Sequence, residues 1–342
     1  MPAGLQSVSE AHSIIRGIMD RHGARGSPEE FHQSVNVQFH DFESEIYDQA
    51  HRDMWESLPR QFELLVEDWL RRDPRIPAEI RLLDIGCGTG LASDCLLKTA
   101  IGNRIKTIDL LDTSRSMLRQ AAKRASRWKT PSVCHEGLLS ALPPGSRYEL
   151  IVTCSVLHHV PNLPAFLGAV RDLQAAGGVF LHLQDPNADF LGDPELRQRT
   201  AQASGLPFTA WSRRFAPRRI FGRIRRELTG KQGQDYLSKT NRALLGKGIV
   251  ATPLSVQEIF SITDIHAQNG EGISISSMES WLPDYECLSR RSYAFFGRLP
   301  GALPKRWRRA EEDLIARQAL NGLHIAAAWK LRMPAGCALA PC

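Results

Sequence analysis

The chain has 342 residues, 42% of them hydrophobic, so it can bury a sizeable core as one elaborated domain or two. No apolar run approaches the ~18 residues that span a bilayer, and the N-terminus lacks a secretory pattern. We therefore expect a cytoplasmic protein that does not bind membranes. The seven cysteines are odd in number and show no CxxC spacing, which predicts reduced thiols and no metal site.

The formal net charge of +6 is unevenly distributed. Residues 190–247 hold thirteen Lys and Arg against four acidic residues, a local charge of +9, so the rest of the chain is slightly acidic. Such an asymmetry concerns binding partners rather than the fold.

Two patterns divide the first half of the chain. Apolar residues at helical intervals, ended by Pro74 and Pro77, predict two or three helices in residues 1–77. From Ile80 to Asp185, short apolar runs alternate with helical patterns, which is typical of a parallel α/β sheet. The predicted strands are 81–85, 105–111, 132–135, 150–154 and 179–183. A helix over 163–173 separates the last two, with Gly177 and Gly178 as its stop.

After Pro186 the alternation is lost in the basic, loop-rich stretch, which we interpret as an insertion. Ser255 and Glu258 form a capping box that predicts a new helix, and residues 285–296 and 323–331 are predicted strands flanking a helix near 307–320. We divide the chain into an N-terminal helical lid (1–77), a core (78–186), a basic insertion acting as a substrate lid (187–253), the C-terminal part of the core (254–333) and a flexible tail (334–342).

A glycine-rich segment follows the first predicted strand. Glycines at a strand exit permit a tight turn and close approach of a ligand, although they may also only make a turn. The third glycine is Gly90 and is followed by Leu91, which departs from the dinucleotide pattern G-x-G-x-x-G. Asp112, at the end of the second strand, can accept the ribose hydroxyls of an adenosine cofactor, and it can also cap the helix that follows.

Together these segments resemble the class I S-adenosyl-L-methionine (SAM)-dependent methyltransferase family. Residues 84–90 match its D-x-G-x-G-x-G signature, residues 112–118 resemble its second motif, and residues 142–160 resemble its third and fourth strands with the loop that follows. The resemblance covers residues 80–186. It implies an α/β fold with a Rossmann-like sheet, mostly parallel with a C-terminal antiparallel strand, plus N-terminal helices and a basic lid insertion between strands five and six.

The resemblance also implies roles for individual residues toward SAM. Asp84 and the backbone of Gly86, Cys87 and Gly88 would hold the methionine part, and Asp112 the ribose. Thr113 and Met117 would contact the adenine faces and Ser155 the amino group, with Gly90 as a further cofactor-binding residue. Gly137 and Leu138 are also predicted cofactor residues, and many members carry an acid for the adenine amino group after Gly137, where this chain has Leu138. Leu138 cannot accept those protons, so that contact comes from a backbone carbonyl, comes from elsewhere or is absent.

Methyl transfer from a sulfonium is an in-line substitution that needs alignment and, for some acceptors, a general base. The candidate bases are His158, His159 and His182, each with the alternative of a structural histidine. Tyr47 is a candidate lid residue, or a packing residue of an amphipathic helix. Further candidate substrate contacts are Asp185, Arg218, Arg219, Arg223, Asp264, His266, Trp281 and Tyr293.

We therefore predict a SAM-dependent methyltransferase of secondary metabolism that acts on a small, acidic or natural-product-like molecule. The dense arginines of the basic segment suit forked binding of an anion, although a solvated helical face is an equally good explanation. The alternatives are an RNA or peptide/carrier methyltransferase and a non-catalytic SAM-binding scaffold. The methylated atom and formation of a homodimer stay open.

Overall fold

The computed structural model describes residues 4–190, 192–196, 198–199, 230–268 and 272–332. Its centre is a seven-stranded sheet of order β3-β2-β1-β4-β5-β7-β6. The strands are Ile80–Ile85 (β1), Ile105–Asp112 (β2), Ser132–Glu136 (β3), Tyr148–Cys154 (β4), Gln174–Pro186 (β5), Tyr285–Tyr293 (β6) and His324–Leu331 (β7). β7 runs antiparallel to both of its neighbours, and the other adjacent pairs are parallel. The predicted fold class is confirmed.

Helices cover both faces of this sheet. They are Gly4–His22 (α1), Pro28–Glu43 (α2), Tyr47–Ala50 (α3), Arg52–Arg72 (α4), Leu91–Leu96 (α5), Arg115–Ala125 (α6), Leu163–Leu173 (α7), Gly230–Gly246 (α8), Val256–Thr263 (α9), Ile265–Gln268 (α10), Ile275–Trp281 (α11) and Lys305–Ala316 (α12). None of them is long and apolar enough to cross a bilayer.

The side chains of the sheet alternate between two cores, as the two-residue period of a strand requires. In β4, Leu150 and Val152 pack with α4, α5, α6 and α12 on one face, whereas Ile151 packs with α7 and α11 on the other. All three residues are fully buried. This double burial explains why the central strands are continuous apolar runs in the sequence.

A third core lies apart from the sheet, among α1, α2, α8 and α9. Phe39 of α2 is fully buried there, with ring centroids 5.3 Å from Tyr236 and 6.0 Å from Phe260. The sequence prediction of a loop-rich stretch was wrong for α8. Its buried Tyr236, Leu237 and Leu244 are spaced along one helical face of an otherwise polar sequence, a pattern that the local charge obscured.

The predicted strand positions are confirmed, but the transition from α7 to β5 differs from the prediction. The helix ends at Leu173 and β5 begins at Gln174, so Gly177 and Gly178 lie in the strand and do not stop the helix. The register with β4 shifts there, and Gly177 has a φ of 71°, which glycine adopts without strain. The domain boundaries given above stay a prediction.

Candidate functional site

A cavity of about 540 Å³ lies where the carboxyl ends of β1, β2 and β4 meet α1 and α2. In an open α/β sheet this edge, at the reversal of strand order, is the usual place for a ligand. Its lining includes eight of the eleven predicted cofactor residues, namely Gly86, Gly88, Asp112, Thr113, Met117, Gly137, Leu138 and Ser155. The sequence therefore identified most of one wall of this cavity.

Two glycines shape the loop after β1. Gly86 has a φ of 62°, and a Cβ there would lie 2.6 Å from Val156 Cγ2, so any other residue would strain the backbone and displace Val156. Gly88 has a φ of 53°, and a Cβ there would have nothing within 4 Å because the position faces the open cavity. The Gly88 backbone N–H donates to Asp112 Oδ2 at 2.8 Å. The loop is thus held by Asp112 while its backbone stays accessible to a ligand.

Asp112 is fixed by the backbone on both sides. Its second oxygen, Oδ1, accepts from the Ser114 backbone N–H at 2.8 Å. Burial raises the pKa of the Asp112 carboxyl above its ordinary value. A carboxylate offers about four lone-pair sites, so two backbone bonds leave acceptor capacity for the hydroxyls of a ribose.

The other three predicted cofactor residues, Asp84, Cys87 and Gly90, do not line the cavity. Asp84 is buried beneath the loop, where Oδ2 accepts from the backbone N–H of Ser93 at 3.1 Å and from its Oγ at 2.6 Å. Burial raises the pKa of Asp84 to about 7. In this arrangement Asp84 ties the end of β1 to the first turn of α5 and positions the loop from behind.

Ser155, immediately after β4, adopts a left-handed conformation with a φ of 62°. This conformation costs about 1–2 kcal/mol for a residue with a Cβ, and such strain tends to occur at functional sites. The Ser155 backbone N–H donates to the carbonyl of Leu183 at 2.9 Å. The turn thus directs residue 155 into the cavity.

Leu138 also lines the cavity and is 54% exposed. The preceding Gly137 donates its N–H to the Asp112 carbonyl at 2.9 Å, which fixes the start of this loop. An exposed leucine that lines the same cavity as Met117 offers an apolar surface suited to a flat aromatic base.

Two aspartates of the N-terminal helices attach those helices to the sheet domain. Asp41 Oδ1 accepts from Ser114 Oγ at 2.6 Å and from the Ser116 backbone N–H at 3.1 Å. Asp48 Oδ2 lies 2.5 Å from the Arg124 guanidinium. Asp41 and Asp48 thus hold α2 and α3 over the loops that line the cavity. Tyr47, a predicted substrate contact, lines the cavity next to Asp48.

Helix α2 supplies a polar wall that the sequence analysis missed. Its lining residues are Glu29, His32, Gln33, Asn36 and His40, a repeat of three and four residues that places them on one helical face. That spacing was the available signal. Burial lowers the pKa of His32 to about 4, so its imidazole is neutral at pH 7. The described lining of this cavity contains no Lys or Arg.

Two of the three histidines predicted as general bases, His158 and His159, lie at or beside the cavity. His159 lines the cavity, and its Nδ1 bonds to the carbonyl of Thr263. His158 lies behind it, and its Nδ1 donates to Asp185 Oδ1 at 2.9 Å. Both histidines are close to Asp264, with the His159 Nδ1 3.6 Å and the His158 Nε2 4.0 Å from Asp264 Oδ1.

The structure places three other predicted site residues away from the cavity lining. His182 lies on the face of β5 that packs against α7 and α11, where it stacks on Trp329 with ring centroids 6.3 Å apart. It is fully buried, which lowers its pKa to about 4. The Tyr293 hydroxyl donates to Gln184 Oε1 at 2.8 Å in the other core. His266 is buried behind the wall, with its Nε2 2.9 Å from the Val160 carbonyl.

Asp185 likewise contacts His158 rather than the cavity. The predicted substrate contacts Arg218, Arg219 and Arg223 lie outside the residues that the structure describes.

The sheet domain is similar in sequence to known methyltransferases. Residues 83–180 match the family model described as a methyltransferase domain. The ubiquinone biosynthesis O-methyltransferase of Methylobacterium nodulans is 30% identical over 114 residues, which cover 32% of this chain and 43% of the relative. The malonyl-[acyl-carrier protein] O-methyltransferase of Chlorobium luteolum is 31% identical over 107 residues, covering 30% and 38%. The chain thus spans less than half the length of these two curated relatives.

Among solved structures, the plantazolicin methyltransferase BpumL, in complex with a pentazolic desmethylPZN analog and SAH, is 13% identical to this chain. The alignment covers 89% of this chain and 98% of BpumL, with a TM-score of 0.45.

Proposed function

Residues 83–180 form a domain of the class I SAM-dependent methyltransferase family, and from that premise we propose that the chain transfers a methyl group from SAM to a small acceptor. One observation carries the proposal. The predicted cofactor residues around Asp112 and the polar face of α2 line the same cavity, so two ligands can meet within it. Its volume of about 540 Å³ lies within the usual range of roughly 300–1,000 Å³ for small-molecule sites.

The residues present fit SAM. Asp112 would accept the ribose hydroxyls, Met117 and Leu138 would contact the adenine faces, and the backbone of Gly86 and Gly88 would hold the methionine part. Because no side chain is present at Gly88, the ligand can approach the backbone closely. When bound, SAM supplies an electrophilic methyl group on its sulfonium.

The acceptor would lie between this wall and helix α2. Gln33 provides an amide group that both donates and accepts hydrogen bonds. Asn36 Nδ2 bonds to His32 Nε2 at 3.1 Å, which leaves Asn36 Oδ1, without a partner among the described residues, as an acceptor for the ligand. Val160 and Phe166 supply an apolar surface across the cavity. These residues favour a small hydroxylated or amino-bearing compound with an apolar ring or chain. The acidic character predicted from the sequence depends on Arg218, Arg219 and Arg223, outside the described residues.

His159 is the proposed contact for the reacting group of the acceptor. It is the only one of the three candidate bases that lines the cavity. A bond from its Nδ1–H to the Thr263 carbonyl fixes the tautomer in which Nε2 carries no proton, so Nε2 is the nitrogen that would act as the base. The enzyme's main contribution would still be alignment of the acceptor with the methyl group.

The test has two stages on the purified chain. Calorimetric titration with SAM and S-adenosylhomocysteine should show binding, and Asp112→Ala should weaken it at least about fivefold through lost hydrogen bonds. Asp313→Ala, an exposed aspartate on α12, is the control and should bind normally. Unchanged affinity in Asp112→Ala would contradict the cofactor assignment.

A labelled-methyl screen then follows over small hydroxylated and acidic metabolites, peptides and bulk RNA. Transfer to a small molecule that is lost in His159→Ala, with SAM affinity retained, would support the proposal. Transfer only to peptide or RNA would replace the acceptor class, and binding without any transfer would favour the scaffold alternative.

A further inference from the structure

Helix α2 places a histidine and a carboxylate together at the cavity. His40 lines the cavity, and its Nδ1 lies 3.2 Å from Oε2 of Glu43, one turn further along the helix. Glu43 is 3% exposed and therefore buried. We propose that His40 is the general base of the methyl transfer and that Glu43 is the residue that positions it. This inference rests on the proposed function and refines it, because His40 then receives the proton while His159 only contacts the reacting group.

The contact with Glu43 decides which ring nitrogen of His40 is available to a ligand. An ionised carboxylate only accepts hydrogen bonds, so a neutral His40 ring carries its proton on Nδ1 and keeps a lone pair on Nε2. Among the described residues Nε2 has no hydrogen-bond partner, and it is not buried. The His40 side chain is 20% exposed, at a position that lines the cavity. Nε2 is therefore open to an acceptor.

His40 also lies where the two ligands would meet. Its ring centroid is 5.2 Å from that of His159, with the rings edge to face. Burial raises the pKa of the Asp112 carboxyl, and a positive charge on nearby His40 opposes that increase. Asn36 lies one turn earlier on the same face of α2, so an acceptor bonded to Asn36 can extend to His40. His40 is thus placed between the proposed cofactor wall and the proposed acceptor wall.

Glu43 supplies the negative charge that a histidine base uses. When His40 takes up a proton, its ring becomes an imidazolium, and a buried carboxylate bonded to that ring stabilises the charge. The last turn of a helix also favours a positive charge, and His40 is in the last turn of α2. The second oxygen of Glu43, Oε1, lies 3.4 Å from His51 Nε2, which holds the carboxylate in place.

In the proposed step the acceptor presents an N–H or O–H group to Nε2 of His40. The acceptor atom forms a bond to the methyl carbon while the carbon–sulfur bond breaks, and the electron pair of that bond stays on sulfur. The proton of the acceptor passes to Nε2 and then to water. The products are the methylated acceptor and S-adenosylhomocysteine, a neutral thioether. General-base catalysis of this kind typically contributes about 10²–10⁴-fold to the rate.

The first readout needs no acceptor. Nitrogen NMR of the full chain, isotope-labelled in its histidines and saturated with S-adenosylhomocysteine, reports which ring nitrogen of His40 carries the proton. The spectra are recorded at alkaline pH, where the imidazoles are neutral, and His40→Gln identifies the signals by their loss. We expect protonation on Nδ1 in wild type. In Glu43→Gln the carboxylate that fixes this tautomer is gone, so we expect a mixture of both tautomers.

His22 is the matched control, because it also pairs with a glutamate, Glu258 Oε1 at 3.1 Å from its Nε2, but does not line the cavity. Its tautomer should be the same in Glu43→Gln as in wild type. A His40 ring protonated on Nε2 in the wild-type complex would overturn the proposal, and so would an unchanged His40 tautomer in Glu43→Gln.

The second readout is turnover with the acceptor that the labelled-methyl screen identifies. His40→Gln should lower kcat about 10²–10⁴-fold and leave S-adenosylhomocysteine affinity within about threefold of wild type. Glu43→Gln should lower kcat about tenfold or more with little change in KM, and His22→Gln should turn over normally. Wild-type turnover in His40→Gln would overturn the proposal and leave methyl transfer standing. A screen without any transfer would contradict the proposed function itself, so the two failures are distinguishable.

Discussion

Asp48, in the four-residue helix α3, accepts a hydrogen bond at 2.7 Å from Oγ1 of Thr89, in the glycine loop of the sheet domain. The same carboxylate is bound by Arg124, whose guanidinium also donates to the Thr89 carbonyl. Arg124 in turn lies 4.1 Å from the ring centroid of Trp55. One side chain of the N-terminal helices thus contacts the loop proposed to hold the cofactor and the helix beside it.

Asp48→Asn should therefore loosen the contact of α3 with the glycine loop and with Arg124. The carboxylate is 45% exposed, which reduces the effect. We expect S-adenosylhomocysteine to bind about three- to tenfold more weakly, mainly through faster dissociation. Stopped-flow fluorescence can follow release, with Trp55 next to Arg124 as the reporter. Asp313→Asn is the control, and a release rate equal to wild type in Asp48→Asn would exclude a role for this contact.

A comparison of two substitutions at Ser155 separates strain from binding. Ser155→Ala and Ser155→Gly both remove the hydroxyl, so both should lose the same SAM affinity if that hydroxyl contacts the cofactor. They differ in backbone freedom, because glycine adopts a φ of 62° without strain. Ser155→Gly should therefore be more stable than Ser155→Ala by up to about 1 kcal/mol in urea unfolding. A more stable alanine variant would disprove strain at this position.

His182→Leu should stabilise the protein and leave catalysis intact. Both ring nitrogens of His182 are buried without partners, and leucine removes those two unsatisfied groups. We expect a gain of about 1 kcal/mol in the free energy of unfolding. Because the folded pKa of about 4 is below the ordinary 6.5, this histidine contributes stability that is present above pH 6.5 and lost as pH falls through about 4. The variant should lose less stability in acid.

The matched substitution His135→Leu breaks the bond to Asp109 and should destabilise instead. Turnover that falls a hundredfold or more in His182→Leu, with the fold intact, would return His182 to the list of catalytic residues.

Asp84 should make the protein less stable at neutral and higher pH than in acid. Its pKa is raised by burial from the ordinary 3.8 to about 7. The folded chain therefore holds this proton more tightly than the unfolded chain, and the associated stability is complete below pH 3.8 and lost as pH rises through about 7.

Asp84→Asn cannot ionise and should keep an acceptor for Ser93. Between about pH 5 and about pH 8 its free energy of unfolding should therefore fall less than that of wild type, by on the order of a few kcal/mol. Denaturant melts at both pH values measure the difference, with exposed Asp313→Asn as the control. Parallel pH dependence in Asp84→Asn and wild type would show that Asp84 is ionised in the folded chain throughout.

The sheet was predictable because its strands are buried on both faces and appear as short apolar runs. The wall proposed to hold the cofactor was predictable because glycines at a strand exit and Asp112 are local signals. The wall contributed by α2 was not, because Asn36 and His40 become site residues only when a distant helix folds over the sheet. His182 and Tyr293 were expected near the cavity from their positions along the chain. The side-chain directions that bury them depend on strand pairing, which no local pattern reveals.

Helix α2 has two structural roles. Through Asp41 it fastens the N-terminal helices to the start of α6, and through Asn36 and His40 it forms the wall proposed for the acceptor. Any movement of α2 that admits a ligand therefore disturbs both halves of the cavity together. The free-energy cost of packing α2 back onto the sheet is met when the first ligand binds, whichever ligand that is. Linkage then requires each ligand to tighten the other by the same factor, so cofactor and acceptor should bind with positive cooperativity although they occupy different walls.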